Sequence, residues 1–327
     1  MQRYLAVRTG KMMVVSDLHG DGEAFDRCIG TFMALREDGE ADRLLFLGDV
    51  IHGYGTPEED HSLRMLLRII DLQERLGSDH VIMLLGNHEM PHIYGVSLAK
   101  GDLEFTPRFE WVMGEHREKI NKFLMTLPFI VRTSAGILFC HAGPDESSIN
   151  RVERLRDFDH EALLKDADQS LTQQGDLSKV YEAYARISGQ SYEALAKKYL
   201  AVTGPDDPRY PHLMRALYIS ERDHRFGVLW DFLFTQNDRG YVPTIYEQIC
   251  QRYLDAFGTG APQLQRVVAS GHIQVPEGGY QVVNDRHFRL ATAAHATPRK
   301  EGCYLLVDTM KSVYHADELT RLTHRLF

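Results

Sequence analysis

The chain has 327 residues, 43% of them hydrophobic, enough to bury a sizeable core in one large α/β domain or two modest ones. A formal net charge of −9 leaves no general basic surface, which argues against a protein that grips a nucleic-acid backbone. Four scattered cysteines (Cys28, Cys140, Cys250 and Cys303) lack CxxC spacing, so they read as buried apolar residues in a reducing compartment, not as a thiolate metal site or disulfide framework.

In chain order, residues 4–8 and 11–15 flank Thr9-Gly10, which predicts a short leading strand before a buried one at 12–15. Further short apolar runs at 44–47, 81–85 and 137–140 predict buried strands, and 23–35, 60–76 and 109–127 carry apolar residues at helical spacing. Asp21 reads as the N-cap of the first of these helices. From Arg151 to about Arg225 the strand signal vanishes, and helices are predicted at 161–174, 177–187, 191–201 and 212–219, interrupted by Gly204-Pro205-Asp206-Asp207-Pro208. Strands return at 267–269 and 304–307. The expectation is one α/β domain over residues 1–327 with an all-helical insertion at 151–225. No apolar stretch approaches membrane-spanning length and no leader pattern opens the sequence, so a soluble cytoplasmic protein without membrane contact is expected.

Polar residues of ligand type follow the predicted strands. Asp17 and His19 follow 12–15, Asp49 follows 44–47, Asn87-His88-Glu89 follows 81–85, His141 follows 137–140 and His272 follows 267–269. Strand carboxyl ends are where α/β sheets place their ligands, so neighbouring strands would bring these groups together. Two carboxylates, one amide oxygen and three imidazoles suit Mn, Fe, Zn or similar divalent ions, and the lack of cysteine argues against a purely structural zinc site. Two ions about 3.5–4 Å apart can hold a hydroxide for in-line attack on phosphorus. Single polar residues at strand ends often only cap helices or form turns, but six of them in order do not read that way.

Asp17-x-His19, Gly48-Asp49, Gly86-Asn87-His88-Glu89, His141-Ala142-Gly143 and Gly271-His272 together resemble the pattern of calcineurin-like metallophosphoesterases. Leu127-Pro128, Leu229-Trp230, Asn237-Asp238-Arg239-Gly240 and Glu277-Gly278-Gly279-Tyr280 extend the similarity towards the serine/threonine phosphoprotein phosphatase branch, over roughly residues 11–310. The resemblance implies a four-layer α/β/β/α sandwich and two divalent ions, manganese first, iron or zinc as alternatives. It implies that Asp17, His19 and Asp49 hold one ion and Asp49, Asn87, His141 and His272 the other, with Asp49 bridging. It further implies that His88 is the general acid and Arg239 a phosphate clamp.

The sequence departs from that pattern at two sites. Where the family has Asp-Arg-Gly, the chain reads His52-Gly53-Tyr54, so one clamping arginine is missing and His88 lacks an anionic partner. Residues 291–300 replace an asparagine- and tyrosine-containing loop. His52 and Glu89 are second-sphere candidates, Glu89 in a structural role. The other histidines, His295 among them, are assigned no function. The substrate expected is a phosphoserine or phosphothreonine protein or a small phosphoester. Alternatives are a bis(5'-nucleosyl)-tetraphosphatase or nucleotide hydrolase, and a metal-stabilised phosphate-binding scaffold without turnover. The insertion is either a substrate-selecting cap or a peripheral decoration.

Overall fold

Short apolar runs become strands because each is long enough to cross a layered core and is closed by glycine or a polar turn. In the computed structural model, which describes residues 2–327, the strands are β1 (Tyr4–Val7), β2 (Lys11–Val15), β3 (Arg43–Phe46), β4 (Val81–Met83), β5 (Ala99–Lys100), β6 (Leu103–Glu104), β7 (Ile130–Thr133), β8 (Ile137–Cys140), β9 (Val267–Ser270), β10 (Tyr280–Asn284), β11 (His287–Leu290), β12 (Cys303–Asp308) and β13 (Thr323–Arg325). The predicted leading strand is β1, and all six apolar runs form strands. Six strands, β5, β6, β7, β10, β11 and β13, lie outside those runs.

The chain divides into two compact units, Met1–Glu89 with Leu127–Phe158 and Val228–Phe327, and Met90–Thr126 with Asp159–Gly227. The first unit holds two mixed sheets, ordered β1-β7-β8-β9-β11-β10 and β13-β12-β2-β3-β4. In the second of these sheets β2, β3 and β4 are parallel; in the first, β8, β9 and β11 are parallel. One continuous apolar core joins the facing sheets, with Val14, Leu45, Leu47 and Leu305 from one and Val131, Phe139, Ala269 and Phe288 from the other. Helix α1 (Gly22–Glu37) packs Phe25 on Phe46, and α2 (Ser62–Leu76) packs beside β4. Helix Pro243–Phe257 packs on β9, its Phe257 ring 5.8 Å from Tyr4. The result is the α/β/β/α sandwich. Asp21 caps α1, its Oδ1 accepting from Ala24 N at 3.0 Å.

The second unit is mainly helical and is not confined to residues 151–225. Residues 151–158 belong to the first unit, where Tyr4 Oη donates to Val152 O and Arg3 Nε to Phe158 O. Residues 90–126 join the helices after Asp159, since Phe105–Met113 packs on Tyr192–Leu200 and Lys198 pairs with Glu104 at 2.7 Å. Its core gathers Tyr192, Leu195, Leu200, Leu213 and Met214. The single helix expected over 109–127 is broken. Gly114 takes a left-handed φ of 46°, so Phe105–Met113 stops, a 3-10 turn follows and Arg117–Thr126 begins anew.

Candidate metal centre

Parallel pairing fixes where the ligand-type residues fall, because parallel neighbours end at the same sheet edge. Asp17 and His19 lie just beyond β2, Asp49 beyond β3, and Asn87 and His88 beyond β4; His141 and His272 lie just beyond β8 and β9. The backbone is strained there. Asp17, His19, Asp49 and His272 have φ of 47°, 44°, 51° and 67°, a left-handed region that costs a non-glycine residue about 1–2 kcal/mol. Gly48, at φ 99°, lets the chain pass close to the next loop. A Cβ there would stand 2.8 Å from Gly86 Cα and 2.9 Å from His141 Nδ1.

The structure brings all six predicted ligands together. Asp49 Oδ2 lies 3.7 Å from His19 Nε2 and 3.5 Å from His141 Nε2. Asn87 Oδ1 lies 2.8 Å from His141 Nε2 and 2.9 Å from His272 Nδ1. The His272 amide donates to both oxygens of Asp17 at 2.9 and 3.0 Å, which ties the last ligand loop to the first. His88 N donates to Asp49 Oδ1 at 3.0 Å.

The donor set fits a divalent cation on three counts. Both ring nitrogens of His19 are buried without a hydrogen-bond partner, an arrangement that costs about 1–3 kcal/mol unless something else satisfies them. His141 Nδ1 meets the Leu47 carbonyl at 2.9 Å and must donate to it, so in the neutral ring Nε2 is an acceptor facing the Asn87 amide oxygen. Burial lowers the His141 pKa to about 4, so the ring is neutral near pH 7. Two acceptors pointed at each other are what a cation satisfies. Burial, Glu89 and Asp17 together push the Asp49 carboxyl well above its usual range, a penalty that a cation beside it would offset.

His52 meets His88 Nδ1 to Nδ1 at 3.0 Å, in the place of the anionic partner that the family pattern has. Burial, with His52 next in importance, holds His88 well below the ordinary imidazole range. Glu89 is fully buried and works as a strut, its two oxygens accepting from the amides of Asp49, Val50, Ile51 and Gly86 at 2.8–3.3 Å.

Arg239 touches none of the donor residues. It is exposed, and its Nη2 donates to Gln274 O at 3.2 Å, two residues beyond His272. It shares a cleft of about 290 Å³ with Arg289 and Thr297. Beside the donor cluster lies a residue that the sequence reading left without a role. His295 Nδ1 is 3.2 Å from Asp17 Oδ1, and its ring is 5.0 Å from that of His19. The signal that points to it is the parallel strand β11, whose carboxyl end lies at the same edge as β8 and β9.

Oxygen and nitrogen donors gathered where parallel strands of two packed sheets end define a hydrolase of the metal-dependent α/β class. The chain belongs to the calcineurin-like phosphoesterase family, whose sequence profile matches residues 10–201. That family uses divalent metals to hydrolyse phosphoesters. Among solved structures, a protein serine/threonine phosphatase from Saccharomyces cerevisiae aligns with 14% identity and a TM-score of 0.52, over 94% of this chain and 77% of that one. A cold-active protein tyrosine phosphatase aligns with 13% identity and a TM-score of 0.48, over 94% and 76%. A metallophosphoesterase from Sphaerobacter thermophilus aligns with 12% identity and a TM-score of 0.32, over 96% and 92%. The likeness to the yeast enzyme is one of fold. No curated protein matches the chain significantly. Among the described residues, no helix is long and apolar enough to cross a membrane.

Proposed function

We propose that this chain is a phosphomonoesterase working with two divalent ions, manganese foremost and iron or zinc also suited, on a phosphoserine or phosphothreonine protein or a small phosphoester. The observation that carries the reading is the position of Asp49 Oδ2, within 3.7 Å of His19 and 3.5 Å of His141. It lies between the Asp17–His19 donors and the Asn87–His141–His272 donors, where one carboxylate can serve both sets. When bound, such a pair of ions polarises the phosphoryl group and lowers the pKa of a water.

The chain's own groups supply the rest. His88 is the general acid: with His52 Nδ1 accepting from its Nδ1, His88 can carry a second proton on Nε2 and give it to the leaving oxygen. Glu89 holds the Asp49 loop in register. Arg239 is the remaining guanidinium for a phosphoryl group, and its exposure and single bond to Gln274 leave it able to turn. We place substrate selection in the helical unit, whose first segment begins at Met90, directly after Asn87, His88 and Glu89 in the chain. Removing it should change the ranking of substrates.

Protein reconstituted with Mn²⁺ should release phosphate from phosphopeptides or aryl phosphates, and Asn87→Ala should abolish release. The glycine at position 53, in place of an arginine, favours a second reading, cleavage of dinucleoside polyphosphates. Two ADP from diadenosine tetraphosphate, with no phosphate from monoesters, would establish that reading instead. Metal-loaded protein that binds phosphate but turns over neither substrate would leave only a binding scaffold.

A further inference from the structure

We propose that His295 is a fourth protein donor to the ion assigned to Asp17, His19 and Asp49, giving that ion two imidazoles and a preference for zinc-like over manganese-like cations. The inference rests on the reading of Asp17 and His19 as ligands.

Donor atoms of Asp17, His19 and His295 all lie within 4.8 Å of one another. The His295 side chain is 12% exposed, and its Nδ1 is buried with no hydrogen-bond partner although it stands 3.2 Å from Asp17 Oδ1. That distance is an ion-pair distance, but the angle is not that of a hydrogen bond. With the two partnerless nitrogens of His19, three buried imidazole nitrogens here lack a hydrogen-bond partner, and one from each ring lies close to an Asp17 oxygen. Left unsatisfied, each would cost about 1–3 kcal/mol. A shared cation takes one nitrogen from each ring, and so removes the deficit at His295 Nδ1 and at one of the two His19 nitrogens.

The loop that carries His295 is fixed to the loop that carries Asp17. Ala294 N donates to Asp17 O at 3.1 Å, and Ser16 N donates to Thr292 Oγ1 at 2.9 Å. Val275 N donates to His295 O at 3.0 Å, so the segment after His272 holds the other side. Ala291 and Ala293 are fully buried, and Ala296 nearly so; larger side chains would not allow so close an approach. A donor held this firmly loses little freedom on binding, which is the condition for a strong ligand. With His295 included, both donor sets become two nitrogens and two oxygens. A second imidazole favours ions that bind nitrogen well, moving the first position away from manganese and towards cobalt and zinc.

The test uses full-length protein, metal content after equilibrium dialysis, and the visible spectrum during Co²⁺ titration. The wild type should take up two Co²⁺ per chain. His295→Phe and His295→Ala, checked for wild-type melting by circular dichroism, should bind one of the two at least tenfold more weakly and lose part of the visible band. The Zn²⁺-over-Mn²⁺ preference in competition dialysis should fall by a similar factor. His272→Ala should weaken the other ion, so His272→Ala combined with His295→Phe should weaken both. Two Co²⁺ bound with unchanged affinity and spectrum in both His295 variants overturns the proposal while leaving the two-ion reading intact. A wild type that holds fewer than two ions overturns both.

Discussion

Glu89 offers the most direct check that backbone hydrogen bonding, and not packing alone, shapes the metal-binding loops. One of its oxygens accepts from Asp49 N at 2.9 Å and Gly86 N at 3.1 Å; the other accepts from Val50 N at 2.8 Å and Ile51 N at 3.3 Å. Burial raises its pKa to about 7 against the pull of the Asp49, Ile51 and Val50 amides, so the carboxylate is largely ionised at pH 8. In Glu89→Gln the shape is kept, but one end becomes an NH₂ group facing two N–H donors. Two buried amides then lose their acceptor, at about 1–3 kcal/mol each, or about 2–6 kcal/mol together. Removing the Glu89 charge also relieves its repulsion of Asp49, which places metal-free protein in the lower half of that range. Urea unfolding at pH 8, followed through Trp230 in a Trp111→Phe background, reads the first unit. A change below about 0.5 kcal/mol would refute the strut, because an alternative acceptor would have to exist where the structure has none of comparable geometry.

Three more outcomes are expected of the same structure. Gly48→Ala adds a Cβ 2.8 Å from Gly86 Cα at a φ of 99°, so its melting temperature should fall by an amount matching roughly 2 kcal/mol or more. His52→Asp puts an anion in place of the ring that meets His88 Nδ1 at 3.0 Å, and raises the pKa of an acid that must be protonated to act. The alkaline limb of the kcat profile should therefore move up by about 1–3 pH units; an unmoved limb removes His88 from the acid role. Burial, then Arg215, lowers the His212 pKa to about 4, so the folded protein keeps this ring neutral while the unfolded chain protonates it near 6.5. Its contribution is complete above pH 6.5 and lost as the pH falls from 6.5 to 4, reaching at most about 2 kcal/mol at pH 5. His212→Gln should lose that slope in acid melting curves of the second unit.

What the sequence reveals depends on whether a residue's neighbours are apolar. Asp17, Asp49, Asn87, His141 and His272 are legible because each follows a run such as Leu44 to Leu47 or Ile137 to Cys140, where nothing competes with the strand signal. His295 is not legible, because its strand, β11, reads His-Phe-Arg-Leu. All four residues are buried, and the polar ones find partners elsewhere in the chain: His287 meets Tyr246 Oη and Ser270 Oγ, and the two terminal nitrogens of Arg289 donate to Gln281 and Asp238. A strand whose polar side chains find partners from elsewhere in the chain has no local hydrophobic period to display. The second unit fails to show in the same way. Residues 90–126 join the helices after Asp159 through contacts such as Lys198 with Glu104 and Leu200 against Gly95, and no local pattern records such long-range pairing. Arg239 marks a different limit: a motif fixes its place in the chain, while the direction of its long side chain is set by Gln274 O.

The turn after Asp49 shows why position 53 carries no arginine. Gly53 N donates to Asp60 Oδ2 at 3.2 Å, Asp60 Oδ1 accepts from Ser62 N at 3.0 Å, and Ser62 Oγ accepts from His52 N at 2.9 Å. This closed set of bonds holds the backbone on which His52 reaches His88. A Cβ at position 53 would stand 3.2 Å from Asp60 Cβ, so a side chain there would press on the turn that positions His52. Gly53 and His52, the two departures from the Asp-Arg-Gly pattern that the sequence resembles, thus sit in one turn held by the same bonds. Its consequence lies next to the ligands, where Tyr54 places its ring 4.9 Å from that of His19. Burial raises the Tyr54 hydroxyl pKa, and Asp49 and Asp17 reinforce the shift, so the group remains a neutral donor. Beside His19 this chain thus offers an aromatic face and a hydroxyl where a guanidinium would otherwise contribute charge. On the proposed function, charge for a phosphoryl group would then come from cations held by the donors at the strand ends and from Arg239, which makes occupancy of the donor set the first thing to measure.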